Sequence, residues 1–152
     1  MALRLASPAF RDGERIPEKY GYTAQNVNPP LIIEGAPDGT ACFALLVDDP
    51  DAVKPAGKVW DHWIVWNIDP GTTKVPEGWD PGAAGANEGL NDYGERGYGG
   101  PNPPDREHTY RFELLALESR LDLPASTSAD DVRSAAEGTI IDEASLTGTF
   151  AP

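Results

Sequence analysis

The chain has 152 residues, 16 of them Gly and 15 Pro, and a formal net charge of −13 from 25 acidic and 12 basic residues. This length fits one domain, residues 1–152, and so many turn formers favour short strands joined by loops over a helical bundle. The excess of acid argues against general electrostatic binding to nucleic acid or to an anionic membrane. No apolar run approaches the ~18 residues of a membrane span, and no signal peptide is recognisable, so we expect a cytoplasmic protein.

The acidic residues are scattered along the chain and do not form a tail. Screening by salt removes the cost of self-repulsion between like charges, so an acid-rich surface with few lysines is typical of proteins that work in high salt. We therefore interpret the composition as halophilic adaptation.

Five strands are predicted from β-branched, aromatic and aliphatic runs bounded by Pro, Gly or Asp. Two contain the runs ALLV and WIVW, which leave no polar face and indicate burial on both sides. The one cysteine, Cys42, lies in such a run and is expected as a buried, reduced thiol. The predicted strands are Leu31–Glu34, Ala41–Asp48, His62–Ile68, Thr109–Leu117 and Ala144–Phe150.

One helix is marked by its ends. Ser128 as N-cap with Asp131 three positions later makes a pair like a capping box, and Gly138 is placed to end the helix. Residues 71–104 are rich in Gly, Pro, Asn and Asp. They predict a long loop, which in a compact domain tends to be functional.

Both histidines of the chain lie at the start of a predicted strand, each directly after a carboxylate, in the sequences WDH and EHTY. His108 and Tyr110 are two residues apart and therefore face the same side of their strand. The DDPD turn, with Asp48, Asp49 and Asp51, follows another strand. Each feature alone has a structural explanation, since aspartates form turns and a histidine can be a core residue. Together they predict a functional cluster.

Three kinds of chemistry fit such a cluster. Asp49, His62 and His108 could ligate a divalent metal, although no close His-x-His spacing supports it. The two histidines, with backbone amides of a Gly-rich turn, could hold a small anion such as phosphate. A hydrolase or lyase could use His62 and His108 as general acid and base on a phosphoester. A serine triad is disfavoured, because there is no G-x-S-x-G motif.

The ordered motifs DDPDA, WDHWIVWNI, NEGLNDYGERGYGGPNPP, HTYRFELLAL and ASLTGTF resemble the phosphatidylethanolamine-binding protein family, and within it the prokaryotic Raf kinase inhibitor-like branch. The resemblance runs from about Leu31 to Phe150. It implies a mainly β fold, a β-sandwich with one or two peripheral helices. It also implies a small pocket for phosphate or a phosphorylated head group.

The resemblance implies a non-enzymatic role without cofactor, metal or catalytic residue, in which ligand binding modulates a protein partner. A homodimer is compatible with the sequence. Carried over to this chain, the family's pocket residues are Asp49, Asp51, Trp60, His62, Gly100, Pro101, His108 and Tyr110.

The chain departs from the family pattern at two positions. Val53 stands where the DDPDA turn usually continues with Pro, and Asn102 stands where the loop commonly carries Cys. We expect Val53 to alter one apolar wall of the pocket, and both residues to affect the choice of ligand.

Overall fold

The computed structural model describes residues 2–152. Within them, eight strands form two antiparallel sheets, with α-helices α1 (Val53–Ala56) and α2 (Ala129–Ala136) on the outside. One-turn 3-10 helices occur at Glu18–Tyr20, Pro50–Ala52 and Gly82–Ala84. The strands are β1 Arg4–Ala6, β2 Leu31–Glu34, β3 Cys42–Asp49, β4 Trp60–Ile68, β5 Lys74–Val75, β6 Asn87–Glu88, β7 His108–Leu117 and β8 Ile140–Phe150.

The larger sheet has the order β6-β4-β3-β7-β8, and the smaller one has the order β1-β2-β5. Every residue of the central strand β3 is buried, as the run without a polar face predicted. The mainly β fold and the five predicted strands are confirmed; β2 has the predicted bounds, and the ends of the other four move by at most four residues. The sequence missed β1, β5 and β6, because runs of two or three residues carry no readable alternation.

Two hydrophobic clusters lie on opposite faces of the larger sheet. On the face toward the smaller sheet, Phe43, Leu45 and Val47 of β3 belong to the main core. On the other face, Ala44 and Leu46 belong to a second cluster that α2 covers. Alternate residues of a strand point to opposite faces, so β3 contributes side chains to both clusters. Its last two residues, Asp48 and Asp49, point to opposite faces for the same reason.

The helix α2 begins with a complete capping box. The Ser128 side chain accepts from the Asp131 amide, and the Asp131 side chain accepts from the Ser128 amide. Gly138 follows the helix with φ +79°, a left-handed conformation that glycine adopts readily. Cys42 is a free, buried thiol as expected. None of the helices in residues 2–152 has the length and apolar character that a membrane span requires.

Candidate functional site

Three neighbouring strands bring the predicted polar residues to one end of the larger sheet. Strand β3 is antiparallel to both β4 and β7, so its last residues lie beside the first residues of its two neighbours. Asp49 pairs with Trp60, and Asp48 pairs with both Asp61 and Arg111.

Alternation sends three of these side chains toward the space between the sheets. His108 and Tyr110 share the face of Phe112, which belongs to the main core. Asp49 shares the face of Val47, a member of the same core. The positions of Asp49, His108 and Tyr110 therefore follow from the same alternation that buries the apolar residues of β3 and β7.

His62 reaches the same face through a β-bulge. Val47 pairs with Trp63, and the next residue, Asp48, pairs with Asp61. His62, which lies between Asp61 and Trp63, is therefore the extra residue and has no partner in β3. Strict alternation would place His62 with Ile64, on the side that α2 covers. Bulges re-aim side chains, and here the ring packs edge-on against Tyr110 with centroids 5.2 Å apart.

These strand ends enclose a cavity of about 170 Å³. Typical small-molecule pockets hold roughly 300–1,000 Å³, so this cavity suits a small group. Five of the predicted site residues line it: Asp49, Trp60, His62, His108 and Tyr110. The rest of the lining consists of Ala52, Pro55, Ala56, Tyr93, Asn102 and Pro104.

Three predicted site residues are not in the lining. Asp51 accepts the amide of Thr109 and fixes the turn after β3 to the start of β7. The amide of Gly100 donates to the Asn26 side chain at 2.7 Å, so it is engaged by the protein itself. A Cβ at Gly100 would collide with the Tyr20 carbonyl oxygen, which makes close backbone packing the reason for a glycine there. Pro101 accepts from the Tyr22 amide.

The two departures from the family pattern have different surroundings. Asn102 lines the cavity. Val53 lies in α1 with 51% of its surface exposed, and it does not line the cavity. The expectation that Val53 alters an apolar wall is therefore corrected. Ala52, Pro55 and Ala56 form that wall instead.

His108 is held between two carboxylates. Its Nδ1 lies 2.6 Å from Asp49 Oδ2, and its Nε2 lies 2.7 Å from Asp105 Oδ1; Asp105 follows the lining residue Pro104 but does not itself line the cavity. Burial alone lowers the pKa of His108, but the hydrogen bonds and charges of Asp49 and Asp105 outweigh burial and raise it above its ordinary value. Both ring nitrogens can donate only in the imidazolium, so the arrangement favours the charged ring.

His62 has the opposite character. Its Nδ1 lies 2.7 Å from the Gly99 carbonyl oxygen, and the Gly99 amide donates back to the His62 carbonyl. Burial lowers the pKa of His62 below its ordinary value. Because a carbonyl oxygen only accepts, Nδ1 carries the hydrogen and the neutral ring presents Nε2 as an acceptor.

Two tyrosines complete the polar part of the cavity. The Tyr110 hydroxyl is fully buried and makes no hydrogen bond of good geometry within residues 2–152, although the Asp49 carboxylate and the Asn102 backbone lie close to it. Burial raises the pKa of Tyr110, so the hydroxyl keeps its hydrogen. Tyr93 donates to the Gly100 carbonyl at 2.9 Å and stacks on Tyr22, which holds the glycine loop against the cavity.

Behind the cavity, on the face toward α2, lies a second group of charges. Arg111 binds Asp48 through two bonds of 2.9 Å, and Arg133 lies 3.5 Å from the same carboxylate. Asp61 forms no salt bridge with any residue in the range 2–152, and the charge of Lys58 lowers its pKa only in part. Burial and the charges of Asp92 and Asp48 raise the pKa of Asp61 to about 6.

The metal hypothesis finds no support in the geometry. Within residues 2–152, no three side chains of His, Cys, Asp or Glu are arranged to hold a metal ion. His108 has a carboxylate on each ring nitrogen, and His62 Nδ1 is committed to a carbonyl. Of the four ring nitrogens, His62 Nε2 alone makes no hydrogen bond of good geometry to a residue in the described range.

Sequence reasoning missed Asp105 and Tyr93. The available signal for Asp105 was its position three residues before His108, in a turn that follows two prolines. Tyr93 could have been suspected as an aromatic residue in the long Gly-rich loop. Neither follows from strand alternation, since both lie outside the strands.

The family model for phosphatidylethanolamine-binding protein matches residues 6–151. The chain belongs to this family, a family of ligand-binding proteins.

A UPF0098 protein of Methanothermobacter thermautotrophicus is 42% identical over 97% of this chain and 98% of its own length. A crystal structure of a phosphatidylethanolamine-binding protein homologue from Chlamydia trachomatis superposes with a TM-score of 0.90 at 37% identity, covering 98% of this chain and 97% of the other. Escherichia coli YbcL, described as a member of the mammalian family, gives a TM-score of 0.89 at 31% identity, with 99% and 98% covered. The predicted family and fold are therefore confirmed.

Proposed function

We propose that the cavity binds a small phosphate-bearing anion, either free phosphate or a phosphorylated head group, without catalysing a reaction. The observation that carries the proposal is the Asp105 carboxylate, an oxyanion that already lies 2.7 Å from His108 Nε2. Its side chain is 36% exposed and sits at the end of an exposed loop, so a ligand can displace it. The Tyr110 hydroxyl, which makes no hydrogen bond of good geometry in residues 2–152 and lies close to Asp49, supplies a second donor.

The cavity chemistry favours binding over catalysis. The described lining residues include no Ser, Thr, Cys or Lys, and the Asp49 carboxylate, which could also act as a nucleophile, is bonded to His108 and to the Asp51 amide. His108 is the charged partner of two carboxylates, and Asp49 fixes its orientation. A protein partner that responds to the bound state, a homodimer and a cytoplasmic location stay predictions from the sequence.

The proposal is tested by calorimetric titration of the protein with inorganic phosphate, using a Tyr110→Phe variant. Removing the hydroxyl should weaken phosphate binding about three- to tenfold, the usual worth of one hydrogen bond. The same change should leave the free energy of unfolding unchanged or slightly higher, because it removes a buried polar group without a partner. Tyr22→Phe is the matched control, since it removes a hydroxyl bonded to Glu95 outside the cavity.

Two results would contradict this function. One is the absence of phosphate binding to the wild-type protein. The other is turnover of p-nitrophenyl phosphate that is lost in variants of both histidines, which would support the hydrolase or lyase hypothesis instead.

A further inference from the structure

The edge strand β8 is covered by other residues over only part of its length. The Thr149 amide donates to the Glu14 carbonyl, and the Thr149 carbonyl accepts from the Ile16 amide, so the backbone of Thr149 faces away from β7. Backbone groups alternate between the two edges of a strand, and the pairing of β7 with β8 has no irregularity in this part. The backbone groups of Ser145 and Glu143 therefore face the same outer edge.

Asp142 closes one position on this edge. Its Oδ1 accepts from the Glu143 amide at 2.8 Å, and its Oδ2 accepts from the Leu3 amide at 3.0 Å. The Ser145 amide and carbonyl and the Glu143 carbonyl have no partner on this edge in the part of the chain that the structure describes. Ser145 thus offers both the donor and the acceptor that a neighbouring antiparallel strand needs. Such a sheet edge, here called the open edge (residues 143–145), is a template for a further strand.

A groove of about 470 Å³ lies between the open edge and β1, on the face toward the smaller sheet. Its apolar residues include Leu5, Ala144 and Leu146. Arg4 and Arg11 also line it, and both are exposed without a salt bridge to any residue in the range 2–152. The chain has 25 acidic residues against 12 basic ones, and these two arginines still have no carboxylate partner there. Their charges are available to an acidic side chain in the groove.

The other face of the open edge is acidic. Glu143 and Glu113 line a hollow of about 240 Å³ on the side of α2. Arg133 lies 2.8 Å from Glu113 and compensates its charge, whereas Glu143 is exposed and forms no salt bridge within residues 2–152. A strand placed against Ser145 would therefore meet positive charge on one face and negative charge on the other.

A second copy of this chain fits the open edge poorly. Pairing two copies of β8 about Glu143 would place the two Glu143 carboxylates directly opposite each other, and like charges in that position are destabilising. Each copy also carries a net charge of −13, which opposes close approach. The matching occupant is a strand whose two faces carry opposite charges.

We propose that the open edge of β8 is a docking site for an extended segment of another protein, which adds a strand to the five-stranded sheet. The segment carries basic side chains on the face toward Glu143, and acidic and aliphatic side chains on the face toward Arg4 and Arg11. In this mode of recognition the main-chain hydrogen bonds provide affinity, and alternate side chains provide specificity.

The probe is a synthetic eight-residue peptide with blocked ends that repeats Thr-Val-Lys-Glu twice. In a strand, its threonines and lysines share one face, and its valines and glutamates share the other. The control peptide repeats Lys-Thr-Glu-Val twice, so it has the same composition and no net charge but carries both signs on one face in every register. Fluorescence anisotropy of the labelled peptides should show that the probe binds at least about fivefold more tightly than the control.

Amide hydrogen exchange locates the bound probe. The Ser145 amide should exchange at least about tenfold more slowly when the probe is saturating, because the amide then donates to the added strand. The Gly39 amide lies in an exposed turn after β2 and is the reference, since its exchange should not change.

Two variants test the contacts. Ser145→Pro removes the outward amide at a position where an edge strand tolerates proline, and it should weaken probe binding about tenfold or more. Arg11→Glu reverses a charge of the groove and should weaken binding about threefold or more. Arg120→Glu is the matched control, because Arg120 is exposed, lies outside the groove and forms no salt bridge in residues 2–152. If Ser145→Pro does not fold, as judged by circular dichroism, Arg11→Glu and the exchange measurement decide.

Several results would overturn the proposal. These are absence of probe binding, equal binding of the two peptides, and a bound probe that leaves the exchange of Ser145 unchanged. A concentration-dependent dimer in sedimentation equilibrium, with Ser145 already protected in the absence of peptide, would show that a second copy covers the edge instead. The cavity lies near the opposite end of β8, where Phe150 pairs with His108, so these results are independent of the phosphate titrations.

Discussion

At the residue scale, the two histidines of one cavity differ because their partners differ. His108 lies between two carboxylates, whereas His62 donates to a carbonyl. The charges of Asp49 and Asp105 overcome burial and raise the pKa of His108, while burial lowers the pKa of His62. Two chemically identical side chains thus provide a cationic donor and a neutral acceptor within one small site.

Asp105 competes with any anion for His108 Nε2, so its removal should strengthen binding. In Asp105→Asn, phosphate affinity should rise about three- to tenfold. Two effects contribute: the anion no longer has to break the partly exposed Asp105–His108 ion pair, and it is no longer repelled by the Asp105 charge. Calorimetric titration measures the gain. Glu107→Gln removes an equal charge from an exposed neighbour and is the matched control. A gain of the same size in both variants would refute direct competition.

The same variant has a signature in pH. The native pKa of His108 is raised above the ordinary value of about 6.5, so its ion pairs stabilise the fold below pH ~6.5, and this stabilisation is lost as pH rises through the native value. Asp105→Asn should lower the native pKa of His108, which an NMR titration of the imidazole measures directly. The loss of stability with rising pH should then be smaller and complete at a lower pH, while it still begins near the unfolded value of about 6.5.

At the element scale, the bulge in β4 separates two sets of charges. Asp49 and His62 face the cavity, whereas Asp48 and Asp61 face the side of α2. Without the extra residue in β4, alternation would turn His62 away from the cavity. The bulge therefore places His62 in the cavity and leaves the Asp61 carboxylate on the side of α2, together with Asp48.

Asp61 is a carboxylate whose environment opposes its charge. Burial and two neighbouring aspartates raise its pKa to about 6, from about 3.9 in an unfolded chain. A raised acidic pKa destabilises the native state above pH ~6, and this penalty disappears as pH falls to about 3.9, where both states are protonated. Asp61→Asn should therefore raise the free energy of unfolding at about pH 7.5 by about 1–2 kcal/mol, allowing for solvent screening.

Urea denaturation at about pH 7.5 and at about pH 4 measures this difference, which should be nearly absent at the lower pH. Asp38→Asn removes an exposed acid outside the strands and serves as control, with an expected change within about 0.5 kcal/mol. A gain that persists at the lower pH would mean that packing, and not charge, accounts for it.

Strand pattern and strand pairing determine which site residues can be predicted from the sequence. Alternation within β7 is enough to place His108 and Tyr110 together, and the antiparallel pairing of β3 with β7 adds Asp49. His62 reaches the cavity through a bulge, and no residue type in the sequence predicts that bulge. Asp105 and Tyr93 lie in loops, whose path depends on tertiary contacts such as the Tyr93–Gly100 hydrogen bond. Strand patterns carry periodic information, and loops do not.

At the scale of the whole molecule, the net charge of −13 repels the anion that the cavity is proposed to hold. The pocket therefore has to act locally, through short hydrogen bonds inside a buried space. Long-range repulsion decays within the Debye length, which shrinks from about 30 Å at 0.01 M salt to about 3 Å at 1 M. Added salt should consequently relieve self-repulsion while it leaves the buried contacts nearly intact.

We expect the protein to become more stable as potassium chloride rises from about 0.01 M to about 1 M, since screening removes repulsion among the exposed acids. A gain of about 2 kcal/mol would raise Tm by about 4–8 °C in a chain of this size. Thermal melts in a chloride series measure it. A variant in which four exposed acids are replaced by their amides should show a smaller response; these are Glu118, Asp122, Glu137 and Glu143. A Tm that stays flat across the series, or an equal rise in both proteins, would remove charge screening as the cause and with it the case for halophilic adaptation.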